Sequence, residues 1–135
     1  MDIVAALFVE NFNLRAVPGP STRIDMTGVF FSMPAPSALP VTIEPHLVVL
    51  IRCRADEPGN AILEVVFKRD DEQIARNVSP FTVEPGKFTY RLVRGELEFT
   101  DVGTVEAHCR VGQGPWTVVP LTLLPPVETA ADEPS

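Results

Sequence analysis

PHLVVLIRCRA (45–55), DEPGN (56–60) and AILEVVFKR (61–69) follow one another directly, and their reading decides the fold. In the first, Val49, Ile51 and Cys53 fall on one face and Arg52 and Arg54 on the other. In the third, Leu63, Val65 and Phe67 alternate with Ile62, Glu64, Val66 and Lys68. A period of two is the mark of a strand with one face in a core. The five residues between carry turn chemistry: Pro fixes φ, Gly accepts a positive φ, and Asp and Asn bond their own backbone. The third segment is therefore expected to pair back on the first as a hairpin.

Moving outward, fourteen prolines and eight glycines cut the chain into short Val-, Ile-, Leu-, Phe- and Thr-rich runs. Residues 2–10 read as a nearly all-apolar first strand, central and buried on both faces. Residues 11–21 (NFNLRAVPGPS) read as a loop, because Pro18-Gly19-Pro20 forbids regular structure. TRIDMTGVFF (22–31) alternates, and SMPAPSALPVT (32–42) reads as an extended crossover. Asp70-Asp71-Glu72 turns the chain into a strand over 73–84 that is broken near Ser79-Pro80. Glu84–Lys87 turns again. Residues 88–99 read as one strand, with Phe88, Tyr90 and Leu92 opposite Thr89, Arg91 and Val93, and with Leu97 and Phe99 continuing after Gly95. After a corner at Asp101–Gly103, residues 104–111 put Val105, Ala107, Cys109 and Val111 inside. Gly112–Pro115 is a hairpin turn, and Trp116–Leu124 is the last strand. The expected fold is all-β: a single-domain antiparallel β-sandwich of about eight strands over residues 1–126, immunoglobulin-like in general architecture. Residues 127–135 are expected to be an acidic, disordered tail.

At 135 residues the chain fits one domain, with 45% hydrophobic and 21% charged residues. Net charge is −7, and three of the acids, Glu128, Asp132 and Glu133, sit in the tail. Nucleic acids and anionic membranes demand clustered Lys and Arg, so neither is expected as a partner. The start, MDIVAALFVEN, has an acidic second residue and a short apolar run, unlike a secretory signal, and no stretch reaches the ~20 apolar residues of a membrane span. The expected location is the cytoplasm.

Chemistry-bearing residues are sparse. Cys53 and Cys109 both point inward, which makes them small buried hydrophobes rather than nucleophiles or a disulfide. The stretch before Cys109 faintly resembles the corner of immunoglobulin domains. However, Val105 stands where the corner tyrosine would be, and Ala107 where the cysteine would be. His46 and His108 each lack a ligating neighbour on their own strand. Glu96 and Glu98 share a face but alternate with Leu97 and Phe99, as in an ordinary amphipathic strand. Glu44, Asp70, Asp71, Glu72 and Asp101 would gather at one end if the strands ran up and down in order, and calcium could use such loops. No catalytic, cofactor-binding or metal residue is assigned, and no cofactor is expected. Leu14, Val17, Met33, Leu39 and Trp116 are apolar groups beside loops and turns, and they form the candidate interaction surface.

IVAALFVENFN (3–13), TRIDMTGVF (22–30), PHLVVLIRC (45–53), DDEQIA (70–75), TDVGTVEAHCRV (100–111) and VPLTL (119–123) together resemble an uncharacterised family of small bacterial, largely actinobacterial, all-β proteins. The resemblance implies the fold and brings no site residue with it. The expected function is a non-enzymatic cytoplasmic protein-interaction module. It would hold a protein partner, or a second copy through an edge strand. The alternatives are a small-ligand-binding protein or enzyme with a pocket at one end, and a calcium-dependent β-sandwich module.

Overall fold

The computed structural model describes residues 1–19 and 21–127, and eleven strands run through them. They are β1 (Asp2–Val17), β2 (Ser21–Val29), β3 (Ser32–Pro34), β4 (Val41–Ile43), β5 (His46–Arg52), β6 (Asn60–Arg69), β7 (Glu72–Thr82), β8 (Phe88–Arg94), β9 (Leu97–Phe99), β10 (Gly103–Val111) and β11 (Thr117–Leu124). Strand accounts for 68% of the structure and helix for none. Sheet I has the order β2-β1-β5-β8 and sheet II the order β3-β11-β10-β6-β7, while β4 and β9 form a separate ribbon. Every pairing is antiparallel except that of β3 on β11. None of the sheets closes on itself.

The period-two faces meet in one core. Sheet I contributes Phe8, Leu47, Val49, Ile51 and Val93, and sheet II contributes Leu63, Val65, Phe67, Val105, Ala107, Cys109, Leu121 and Leu123. Ile43, Leu97 and Phe99 of the ribbon join the same cluster. Each fully buried Leu or Phe contributes about 1.5–3 kcal/mol of transfer free energy, so this shared core holds the sheets face to face.

Several expectations are corrected. The stretch 45–69 has the expected faces but forms no hairpin. β5 pairs with β1 and β8, whereas β6 pairs with β10 and β7, so DEPGN carries the chain from one sheet to the other. Other partners claim its ends: Cys53 N–H donates to Lys87 O (3.0 Å), and the Glu57 carboxylate accepts from the Met1 ammonium and from Arg54 N–H. Residues 11–17 are strand rather than loop, while Pro18-Gly19 form the expected turn. β1 continues to Val17 and pairs with β2 from Val9↔Val29 to Val17↔Ser21. β1 is central in its sheet, and Phe8 and Val9, on opposite faces, are both buried, but double burial fails at Val4, which is 54% exposed.

The crossover 32–42 contains β3 and the start of β4. The run 88–99 is two strands: Gly95-Glu96 separates β8, in sheet I, from β9, in the ribbon. Conversely, β7 is unbroken through Ser79-Pro80, because β7 is an edge strand and tolerates proline. These differences turn about eight expected strands into eleven. Asp70 and Asp71 do form the expected turn, with φ of 51° and 65° in the two-residue loop of the β6–β7 hairpin. The expected tail from residue 128 onward, and Pro20, lie outside the described residues.

Candidate functional site

The long first strand builds the site. Val9 is opposite His46, the first residue of β5, so a straight β1 would carry Leu14 about 16 Å beyond the sheet. Instead Leu14 lines a cleft with Val4 and Leu50, so β1 bends and the β1–β2 hairpin lies back over the outer face of sheet I. The bend falls at Glu10 and Gly28. Gly28 has φ +70°, and a Cβ there would stand 2.1 Å from the Glu10 carboxylate. The arm is seated by Phe12, whose ring lies 5.3 Å from that of Tyr90 on β8, and braced by Arg15, whose Nε donates to Asp25 Oδ2 at 2.9 Å. That bond, with the guanidinium charge, holds the Asp25 carboxyl below its usual pKa.

Under the arm is a cleft of about 500 Å³, lined by Val4, Leu14, Thr22, Ile24, Leu50, Phe88, Thr89 and Tyr90. The lining carries no carboxylate, imidazole, thiol or amine. It is apolar, with hydroxyls at Thr22, Thr89 and Tyr90.

Beside the cleft runs the outer edge of β8. Cys53 N–H bonds Lys87 O and Gly95 N–H bonds Pro45 O, both in register with the β5–β8 ladder. In an antiparallel ladder the bonded pairs alternate. The odd-numbered residues of β8 therefore bond β5, and the N–H and C=O of Phe88, Tyr90, Leu92 and Arg94 point outward. Among the described residues β8 pairs only with β5. The side chains of these outward residues lie on the outer face, where Phe88 is 64% and Leu92 40% exposed.

The other long edges are blunted. β7 has a register irregularity at Phe67/Lys68, and Pro80 sits at an outward position. β2 presents Arg23, Asp25 and Thr27 outward, by the same parity from the Phe30 N–H to Phe8 O bond. β3 is three residues long and ends in Pro34. Charge, proline and irregularity are the usual devices against edge pairing. The outward positions Tyr90 and Leu92 carry none of them, and the one such device in the middle of β8 is the inward-turned Arg91, which donates to Ser79.

A second feature lies on the outer face of sheet II. Glu64 on β6 accepts from Arg76 Nε on β7 (2.8 Å) and from Arg110 Nε on β10 (2.9 Å). Both guanidinium groups hold the Glu64 carboxyl below its usual pKa. Arg110 also lies 4.3 Å from the centre of the Trp116 ring, a cation–π distance.

The five candidate surface residues do not form one patch. Leu14 lines the cleft, and Val17 is half-buried at the end of the arm. Met33 and Leu39 pack against the core. Trp116 is exposed beside Arg110, one residue before β11, which starts at Thr117 rather than at the expected Trp116. Sequence reasoning missed Phe88 and the β8 edge. Their signal was the Pro- and Gly-free alternation FTYRLVR (88–94), which does not show which strand stands at an edge.

Of the inward-facing residues of β8, Val93 joins the core and Arg91 reaches across to sheet II. Its Nη2 donates to Ser79 Oγ on β7 at 2.6 Å, linking the two sheets. Asp101, one of the expected acidic cluster, is taken by Arg69 at 2.8 Å. Among the described residues no three His, Cys, Asp or Glu gather where they could hold a metal ion. The cysteines are buried and unbonded to each other, and burial pushes the Cys109 thiol up to about 12. No helix among the described residues is long and apolar enough to cross a membrane. No family model matches the chain, and no curated protein matches it.

Proposed function

We propose that this protein is a non-enzymatic protein-interaction module that takes an extended segment of its partner alongside β8. One observation carries the reading: the outward N–H and C=O groups of Phe88, Tyr90 and Leu92 lie next to an apolar cleft of about 500 Å³. Strand addition uses this combination. Main-chain bonds supply affinity, and alternate side chains entering a pocket supply selectivity. The fold is read as a β-sandwich of immunoglobulin-like general architecture, in keeping with the family resemblance. Two buried, unlinked cysteines fit a reducing compartment, and the cytoplasm is the proposed location.

The test is affinity capture from cytosol with the wild-type chain and with Leu92→Pro, which removes an outward N–H as Pro80 already does in β7. The expected result is a stoichiometric protein bound by the wild type and lost from the variant. Equal capture by both, or capture of nothing, would overturn the reading. The cleft also supports a second reading, a small apolar ligand bearing one hydroxyl or carbonyl, since its volume falls in the usual range for ligand sites. Saturable displacement of an environment-sensitive dye from the wild type, reduced in Leu14→Asp, would favour it over strand addition.

A further inference from the structure

We propose that the strand added to β8 is the β8 of a second copy of this chain, paired antiparallel about Tyr90. The inference rests on the strand-addition reading and names its partner. The parity of the open edge restricts the choices, because only Phe88, Tyr90, Leu92 and Arg94 offer outward groups, so bonded pairs across a two-fold axis must join even-numbered residues. A register centred on Arg91 sets Arg91 against Arg91 of the second copy. A shift the other way, centred on Thr89, sets Arg91 against Lys87. Both place like charges directly opposite. A register centred on Leu92 leaves Phe88, the most exposed apolar side chain of the strand, opposite Glu96 beyond the end of β8.

Centring on Tyr90 removes all three faults. Tyr90 then faces Tyr90, Phe88 faces Leu92 of the second copy, and Arg91 faces Thr89. About six ladder hydrogen bonds form, and two exposed apolar side chains per copy are covered by each other. In this register Arg91 stands opposite the uncharged Thr89, so no like charges are directly opposed, and its guanidinium donates to Ser79 of its own copy. The joined sheets I would make one eight-stranded sheet, twice the four strands of a single copy. So short an edge, seven residues long, buries less than the ~1,200 Å² of a tight interface, and micromolar self-association is expected.

Sedimentation equilibrium over about 1–500 µM tests this. The wild type is expected to shift from monomer to dimer, with the dissociation constant at least about tenfold higher in Phe88→Lys and in Leu92→Pro. Phe88→Lys replaces an exposed side chain, so the fold is kept even if Leu92→Pro melts early. Tyr90→Cys is expected to give a covalent dimer on mild oxidation, since bonded antiparallel pairs have Cα atoms about 5.5 Å apart. A wild type that stays monomeric throughout overturns the self-pairing, as does a dimer that both edge variants leave intact. A monomer that still captures a foreign protein through β8 overturns the self-pairing alone, and one that captures nothing overturns the strand-addition reading with it.

Discussion

Glu64 shows how one side chain can organise a whole sheet face. It lies between two arginines from different strands, and its pKa is lowered by both. A carboxylate with a depressed folded pKa contributes stability above its unfolded pKa, and that stability is lost as pH falls through the folded value. Glu64→Gln is therefore expected to lower the melting temperature by about 2–4 °C at pH 7, with the gap to wild type closing below about pH 4. A gap independent of pH would show that packing, not charge, holds the site. Cys109 behaves in the opposite sense. Burial raises its thiol to about 12, so almost no thiolate exists at neutral pH. Native protein at pH 8 is expected to leave Cys109 unmodified by an aromatic disulfide reagent until denaturant is added. Rapid labelling in the native state would contradict the burial.

At the scale of the element, the arm depends on a bend that only one residue type takes easily. Gly28 at φ +70° sits opposite Glu10, where β1 turns back over its own sheet. Gly28→Ala is expected to cost about 1–2 kcal/mol from the left-handed backbone, lowering the melting temperature by several degrees. It should also speed amide exchange across residues 11–27 more than in the core strands. Uniform exchange changes would mean that the arm and the sheet open together. The arm was also the least legible element, since NFNLRAVPGPS has a loop's composition and its first seven residues, 11–17, become strand only because β2 bonds β1 from Val9 to Val17. The faces of β5, β6 and β10 were legible, because alternation depends only on the chain itself. The partner of each strand was not, because a turn such as DEPGN has the same chemistry whether the next strand pairs back or crosses to the other sheet. The site shared this blindness: Phe88 and Leu92 matter because β8 is an edge, and edge status depends on strand order.

Over the whole molecule, pairing joins distant segments. Ser32 on β3 is matched with Thr122 on β11, and Ile3 on β1 with Ile51 on β5. Such topologies must close long loops before contacts reward them, so refolding is expected in milliseconds to seconds. Stopped-flow dilution from denaturant measures this, and a microsecond phase carrying the full amplitude would contradict it. The chain has one tryptophan and one tyrosine. Trp116 lies on the outer face of sheet II under Arg110, whereas Tyr90 lies on the outer face of sheet I against Phe12. The protein thus carries a separate natural fluorophore on each side. Long-wavelength excitation reaches Trp116 alone and registers what happens to the Glu64–Arg110 face. Difference absorbance of the phenol reports contacts at β8, so events on the two faces can be told apart in unlabelled protein.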